Sequence, residues 1–172
     1  VIPFQFGTIL KGKEGSVNHL KSSYAKYGAL LKKLKDRQEW GVRIFADLKK
    51  SRNTQKSGSG TAYLLRKKQE EEAEKTTNEK LTSFSGEILN SLKELAFEYK
   101  VTESTQRFSE KGELLISVFA FLLDKSQMRK FSQKIESLQK KYQKFGLSLT
   151  ASGPWPAYSF VNPVSPERKR GE

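Results

Sequence analysis

The chain contains no cysteine. Neither a disulfide framework nor a thiolate metal site is available to it, and a reducing, intracellular compartment is compatible with that lack. Histidine occurs once, at His19, and aspartate only at Asp36, Asp47 and Asp124. A catalytic dyad or triad would need the histidine beside a nucleophile and an orienting acid. His19 lies instead in a helical pattern between Asn18 and Leu20, where a surface or internally satisfied imidazole is the plain reading. The glutamates sit in lysine-rich helices, where solvated pairing is the default. No Asp/Glu/His cluster has metal-ligand spacing, so neither a metal nor a cofactor is expected. Gly58-Ser59-Gly60 precedes a helix, but the phosphate-loop Lys-Ser/Thr and the dinucleotide fingerprint are both missing, and a flexible linker accounts for it better. Long apolar runs are lacking too. Leu114–Leu123 is interrupted by Ser117 and falls well short of the roughly 20 residues that span a bilayer. No signal-peptide pattern is present: Val1 opens directly in a strand-like pattern, without an initiator methionine, as a cropped chain would. An enzyme is not expected, and binding other proteins is the function class that remains.

What the chain does have is charge. Over 172 residues the formal net charge is +13, with 30% charged and 35% apolar residues. The polarity is concentrated in residues 49–60, 66–80 and 162–172, and the rest is core-forming sequence. Residues 1–10 (VIPFQFGTIL) alternate as a strand does, with Pro3 placing it at an edge or a strand start. Gly12 to Gly15 reads as a turn, and Ser16 as the N-cap of a helix. Its apolar face is Val17, Leu20, Tyr24, Tyr27, Leu31 and Leu34. Trp40, Val42, Ile44, Ala46 and Leu48 alternate as a second strand.

Residues 49–60 form a linker by composition. A long helix follows over about 61–95, solvated in its first half and packing through Leu81, Phe84, Ile88, Leu92 and Leu95 in its second. Phe97, Tyr99 and Val101 mark a strand, and Leu114–Leu123 another. Ser126 opens a helix with Met128, Phe131, Ile135, Leu138, Tyr142 and Phe145 on one face. Gly146 ends it, and a short strand begins at Leu147.

From residue 39 the order is therefore βαββαβ, which predicts an α+β fold of ferredoxin-like type: a four-stranded antiparallel sheet with both helices on one face. Residues 1–38 would then be the C-terminal part of an N-terminal α/β domain, 39–161 a modified ferredoxin-like domain with 49–60 as its flexible linker, and 162–172 a disordered tail. In Leu114–Leu123 the even and odd positions are both apolar. A sheet with helices on one face should be polar on the other, so a preceding domain, the C-terminal segment or a partner must cover this one.

The basic charge raises nucleic acid as a partner. Sheets of this type that read RNA carry aromatics in a Lys/Arg-Gly-aromatic pattern, and neither 96–103 nor 113–124 has it. A basic nucleic-acid-binding domain is the alternative reading. It would show itself as an oligonucleotide mobility shift that falls steeply with salt.

Two prolines bracket a tryptophan in Gly153-Pro154-Trp155-Pro156, and Tyr158 and Phe160 follow. The prolines bias this segment to extended geometry. Trp155, Tyr158 and Phe160 are bulky anchors that either cap the apolar sheet face or form a hot spot for a partner. With residues 1–10 and Glu39-Trp40-Gly41-Val42-Arg43, this segment resembles the gas vesicle proteins GvpF and GvpL. The Gly60–Leu65 start of the long helix (GTAYLL) and the apolar strand ending in Leu-Leu-Asp-Lys fit as well, so the resemblance covers essentially the whole chain. Ala157 and Arg43 stand where that family more often has proline and lysine.

The resemblance implies an accessory, minor component of gas vesicles that binds the small hydrophobic shell protein (GvpA-type) during assembly, with other gas vesicle accessory proteins as further partners. It also implies no catalytic activity; from the missing aromatic pattern and the short apolar runs, neither nucleic acid nor a membrane is expected as partner. Glu39, Trp40, Gly41, Gly153, Pro154, Trp155, Pro156, Tyr158 and Phe160 are the residues expected to pack or to contact a partner.

Overall fold

A computed structural model of the chain describes residues 2–4, 9–47, 62–102, 108–109 and 112–161, with the side chains of 62–74 outside the description. Helices α1 (Gly12–Ser22) and α2 (Tyr24–Leu34) lead into strand β1 (Arg37–Ala46). Helix α3 (Ala62–Lys93), strands β2 (Glu98–Thr102) and β3 (Leu114–Asp124), helix α4 (Met128–Gln143) and strand β4 (Leu147–Trp155) follow. The four strands form one sheet in the order β2-β3-β1-β4, with every neighbouring pair antiparallel. The protein is thus α+β with a four-stranded antiparallel sheet. No helix among the described residues is long and apolar enough to cross a membrane.

The main core lies between the sheet and the two long helices. Val42, Ile44 and Ala46 of β1, Phe119, Phe121 and Leu123 of β3, and Leu147 of β4 meet Leu81, Ile88 and Leu92 of α3 and Phe131, Ile135, Leu138 and Tyr142 of α4. The steps within α4 follow the 3.6-residue period, which is why one stripe of a lysine-rich helix can be buried. Phe121 and Phe131 pack edge-on, with ring centroids 5.3 Å apart. Ser117, the polar break in β3, lies 2.7 Å from buried Ser85 of α3, hydroxyl to hydroxyl. Burying those two hydroxyls is tolerable because each satisfies the other. The Tyr142 hydroxyl donates to Glu87 and ties α4 to α3. That hydrogen bond holds the Glu87 carboxyl below its ordinary range, while burial raises the Tyr142 hydroxyl.

The opposite sheet face has its own smaller core. Ala120 and Leu122 of β3 are covered by Leu34 of α2 and by Ala157 and Phe160 of the segment after β4, with Ile2 and Val161 alongside. This explains the doubly apolar pattern of β3: as an interior strand it is buried on both faces at its C-terminal half, as strands covered on both sides are.

Several sequence expectations are corrected. The described residues of 1–10 contain no strand. Pro3 cannot donate to a ladder; Ile2 packs against the smaller core, and Phe4, still exposed, lies beside the rings of His19 and Tyr27. Gly12–Gly15 is helical rather than a turn, and Ser16 is no cap: its hydroxyl donates back to the Gly12 carbonyl within α1. The single expected helix breaks at Ser23. Of its apolar face only Tyr27 and Leu34 are buried, while Val17, Leu20, Tyr24 and Leu31 are exposed.

Ser126 lies inside a 3-10 turn, Lys125–Gln127, and gives α4 no side-chain cap. Gly146, at φ +77°, ends the turn after α4 as expected. β4 is longer than expected and takes in Gly153, Pro154 and Trp155. The linker at 49–60, the tail at 162–172 and the side chains of most of the solvated half of α3 lie outside the described residues.

Candidate functional site at one corner of the sheet

Glu39-Trp40-Gly41 opens β1 and Gly153-Pro154-Trp155 closes β4, and the antiparallel pairing of these strands puts the two motifs side by side. Glu39 lies opposite Trp155 and Gly41 opposite Ser152, with a register shift between them. The extra β4 residue is a bulge, one of the few places in a sheet where a proline without an N–H can sit. The Gly153–Pro154 peptide bond is cis.

Alternation along β1 divides the roles of Glu39 and Trp40. Trp40 faces the helix layer, half-buried against the main core. Gly153, at φ +145°, lies flat against its ring: a Cβ there would be 2.9 Å from Trp40 Cδ2 and 3.0 Å from the Glu39 carbonyl oxygen. Trp40 Nε1 is buried and donates to nothing among the described residues. At Gly41 a Cβ would come within 3.2 Å of Ser152 Oγ, which already accepts the Trp155 Nε1–H at 3.3 Å.

Glu39 points to the other face and is 8% exposed. Its carboxylate accepts from the Ser159 backbone N–H at 2.9 Å and from the Ser159 hydroxyl at 2.6 Å. A buried carboxylate without such donors would be costly. Here the two bonds hold the 3-10 turn Tyr158–Phe160 under the sheet. That turn carries Phe160, 2% exposed, into the smaller core. From α2, Lys33 donates to the Phe160 carbonyl at 3.4 Å and forms an ion pair with Glu98 of β2. The segment after β4 therefore straps the sheet from the β4 side towards β2.

The motif thus faces two ways. Ala157, Ser159 and Phe160 point inward. Trp155 and Tyr158 are 54% and 57% exposed, and Pro154 and Pro156 are exposed with them. Of the two roles open to these aromatics, capping the apolar sheet face falls to Phe160 alone. Trp155 lies on an edge strand, where β1 is its only strand neighbour among the described residues, and it is left half in water. Ser152 and Ser159 join the site although neither stood out in the sequence. No local pattern marked Ser159: Glu39 follows Arg37 and Gln38 and shares its strand parity with Arg43, which reads as a solvated face.

Glu39→Gln is expected to lower the unfolding free energy by about 1–3 kcal/mol, because one Ser159 donor would then face an amide NH2. Urea denaturation measures it. An unchanged midpoint would mean that the Glu39–Ser159 contact contributes nothing to holding the strap.

Chemically the corner offers no nucleophile–base pair, and no cluster of three or more metal-ligating side chains occurs among the described residues. His19 bonds the Tyr27 hydroxyl at 2.8 Å, on α1 and α2. The arrangement presents a surface.

Residues 1–162 match the family described as gas vesicle synthesis protein GvpL/GvpF. Among solved structures the chain is similar to the gas vesicle protein GvpF from Anabaena sp. PCC7120, with a TM-score of 0.70 and 23% identity over 94% of this chain and 66% of that one. It is also similar to GvpF from Microcystis aeruginosa, with a TM-score of 0.64 and 17% identity over 93% of this chain and 70% of that one. The chain thus spans about two thirds of the length of these relatives. No curated sequence matches it.

Proposed function

The chain belongs to the gas vesicle synthesis protein GvpL/GvpF family, and on that premise we propose that it is an accessory protein that binds the small apolar shell protein of the vesicle during assembly. The reading places it at the gas vesicle and in the cytoplasm. The observation that supports it is the two-sided motif: Trp155 and Tyr158 are exposed on a corner whose inward residues are hydrogen-bonded and packed. Exposed aromatics held in place by a rigid base lose little entropy on binding, and Trp and Tyr dominate interface hot spots. An apolar shell monomer also requires a cover for its own greasy surface before it is built into the wall.

Capture of purified shell protein by the immobilised chain is the test. Trp155→Ala and Tyr158→Ala are each expected to weaken capture by about tenfold or more, while the melting temperature stays nearly unchanged. Full capture by the double variant would remove this corner from the interface. Absence of capture by the unmodified protein would overturn the function itself.

A further inference from the structure

The two edges of the sheet are not alike. β4 carries a bulge and Pro154, both of which prevent a further strand from pairing beside it. β2, the other edge, has five residues, Glu98-Tyr99-Lys100-Val101-Thr102, with no proline, no glycine and no register shift. Tyr99 and Val101 lie opposite Phe121 and Phe119, on the helix side of the sheet, yet they are 42% and 56% exposed. Phe97, just before them, is also exposed but carries the Arg37 guanidinium 3.5 Å over its ring, so Tyr99 and Val101 form the apolar ledge beside the edge.

On the opposite side of β2 the charges are unequal. Glu98 is neutralised by Lys33. The Lys100 ammonium has no carboxylate partner among the described residues and stands 5.9 Å from the Phe160 ring. We infer that β2 is an acceptor edge for an extended strand of a partner, apolar at alternate positions and carrying an acidic residue opposite Lys100. A second copy of this chain fits poorly. Antiparallel pairing of β2 with itself about its middle residue would set Lys100 against Lys100, and like charges directly opposite are destabilising. Strand addition takes its affinity from main-chain hydrogen bonds and its specificity from alternate side chains. The ledge and Lys100 would supply those two readings. On the function proposed above, the occupant is a strand of the apolar shell protein.

The test does not depend on that protein, so the two proposals fail separately. The probe is a synthetic seven-residue peptide with valine at alternate positions and Thr-Glu-Thr between them. A second peptide has lysine in place of the glutamate. Titrated into the full chain and followed by backbone amide shifts, the glutamate peptide should perturb residues 98–102 and bind roughly fivefold more tightly than the lysine peptide. Lys100→Glu, on an exposed edge and checked for an unchanged melting curve, should reverse that preference. Perturbation elsewhere, or a preference that Lys100→Glu leaves intact, overturns the proposal. So does concentration-dependent self-association mapped to 98–102, which would give the edge to a second copy.

Discussion

Phe160→Ala should lower the free energy of unfolding by about 3–4 kcal/mol, while Trp155→Ala, in the same motif, should lower it by less than about 1 kcal/mol. The reason is position rather than chemistry. Phe160 is 2% exposed and fills the space under Leu122 and Ala120, with Leu34 and Ala157 beside it. Truncation there leaves a cavity that the short 3-10 turn, tied at Ser159 and at the Phe160 carbonyl, cannot close by shifting. Trp155 leaves half its surface in water and loses one long hydrogen bond to Ser152. Denaturation of both variants under one set of conditions checks the contrast. Equal losses would mean that the strap is a single cooperative unit from Trp155 onward, with no outward side to spare for a partner.

Gly153→Ala should be nearly as damaging, at about 3 kcal/mol, a fall of roughly 6–12 °C in melting temperature for a chain of this size. Two causes act together. The backbone holds φ at +145°, which a side chain rarely tolerates. The added methyl would also press into the Trp40 ring and against the Glu39 carbonyl, which belongs to the strand and cannot move alone. Gly86 is the control: it sits within α3 with nothing near its missing Cβ. Gly86→Ala should stabilise by about 0.5–1 kcal/mol. A Gly153→Ala protein as stable as the parent would show that the corner relaxes freely, and the argument for a rigid base under Trp155 and Tyr158 would fail with it.

The sequence revealed the elements better than their partners. The period-2 run in β1 and the 3.6-residue stripe of α4 are local patterns, and both elements stand where those patterns put them. The two-faced apolarity of β3 correctly demanded a cover and included the C-terminal segment among the candidates. It could not show that Ala157 and Phe160 supply that cover while Trp155 stays out, because alternation near a bulge loses its phase. The break at Ser23 was hidden as well, since the apolar spacing continues across it without interruption. The neighbourhood of Glu39-Trp40-Gly41 and Gly153-Pro154-Trp155 rests on a strand pairing between residues more than a hundred positions apart, which no local period reports. The family came from the motifs by resemblance, whereas the division of those motifs into buried and exposed residues needed the fold.

The strand order has a consequence for how the chain is made. β1 is an interior strand, yet its two neighbours are β3 and β4, which are translated long after it. At a synthesis rate of roughly 5–20 residues per second, Val42, Ile44 and Ala46 wait for several seconds on the ribosome before Phe119 and Phe121 exist to cover them. The smaller core closes later still, when Ser159 finally reaches Glu39. Nascent chains halted before residue 114 have no sheet to join. They are the form of this protein that a chaperone would hold and a protease would clear.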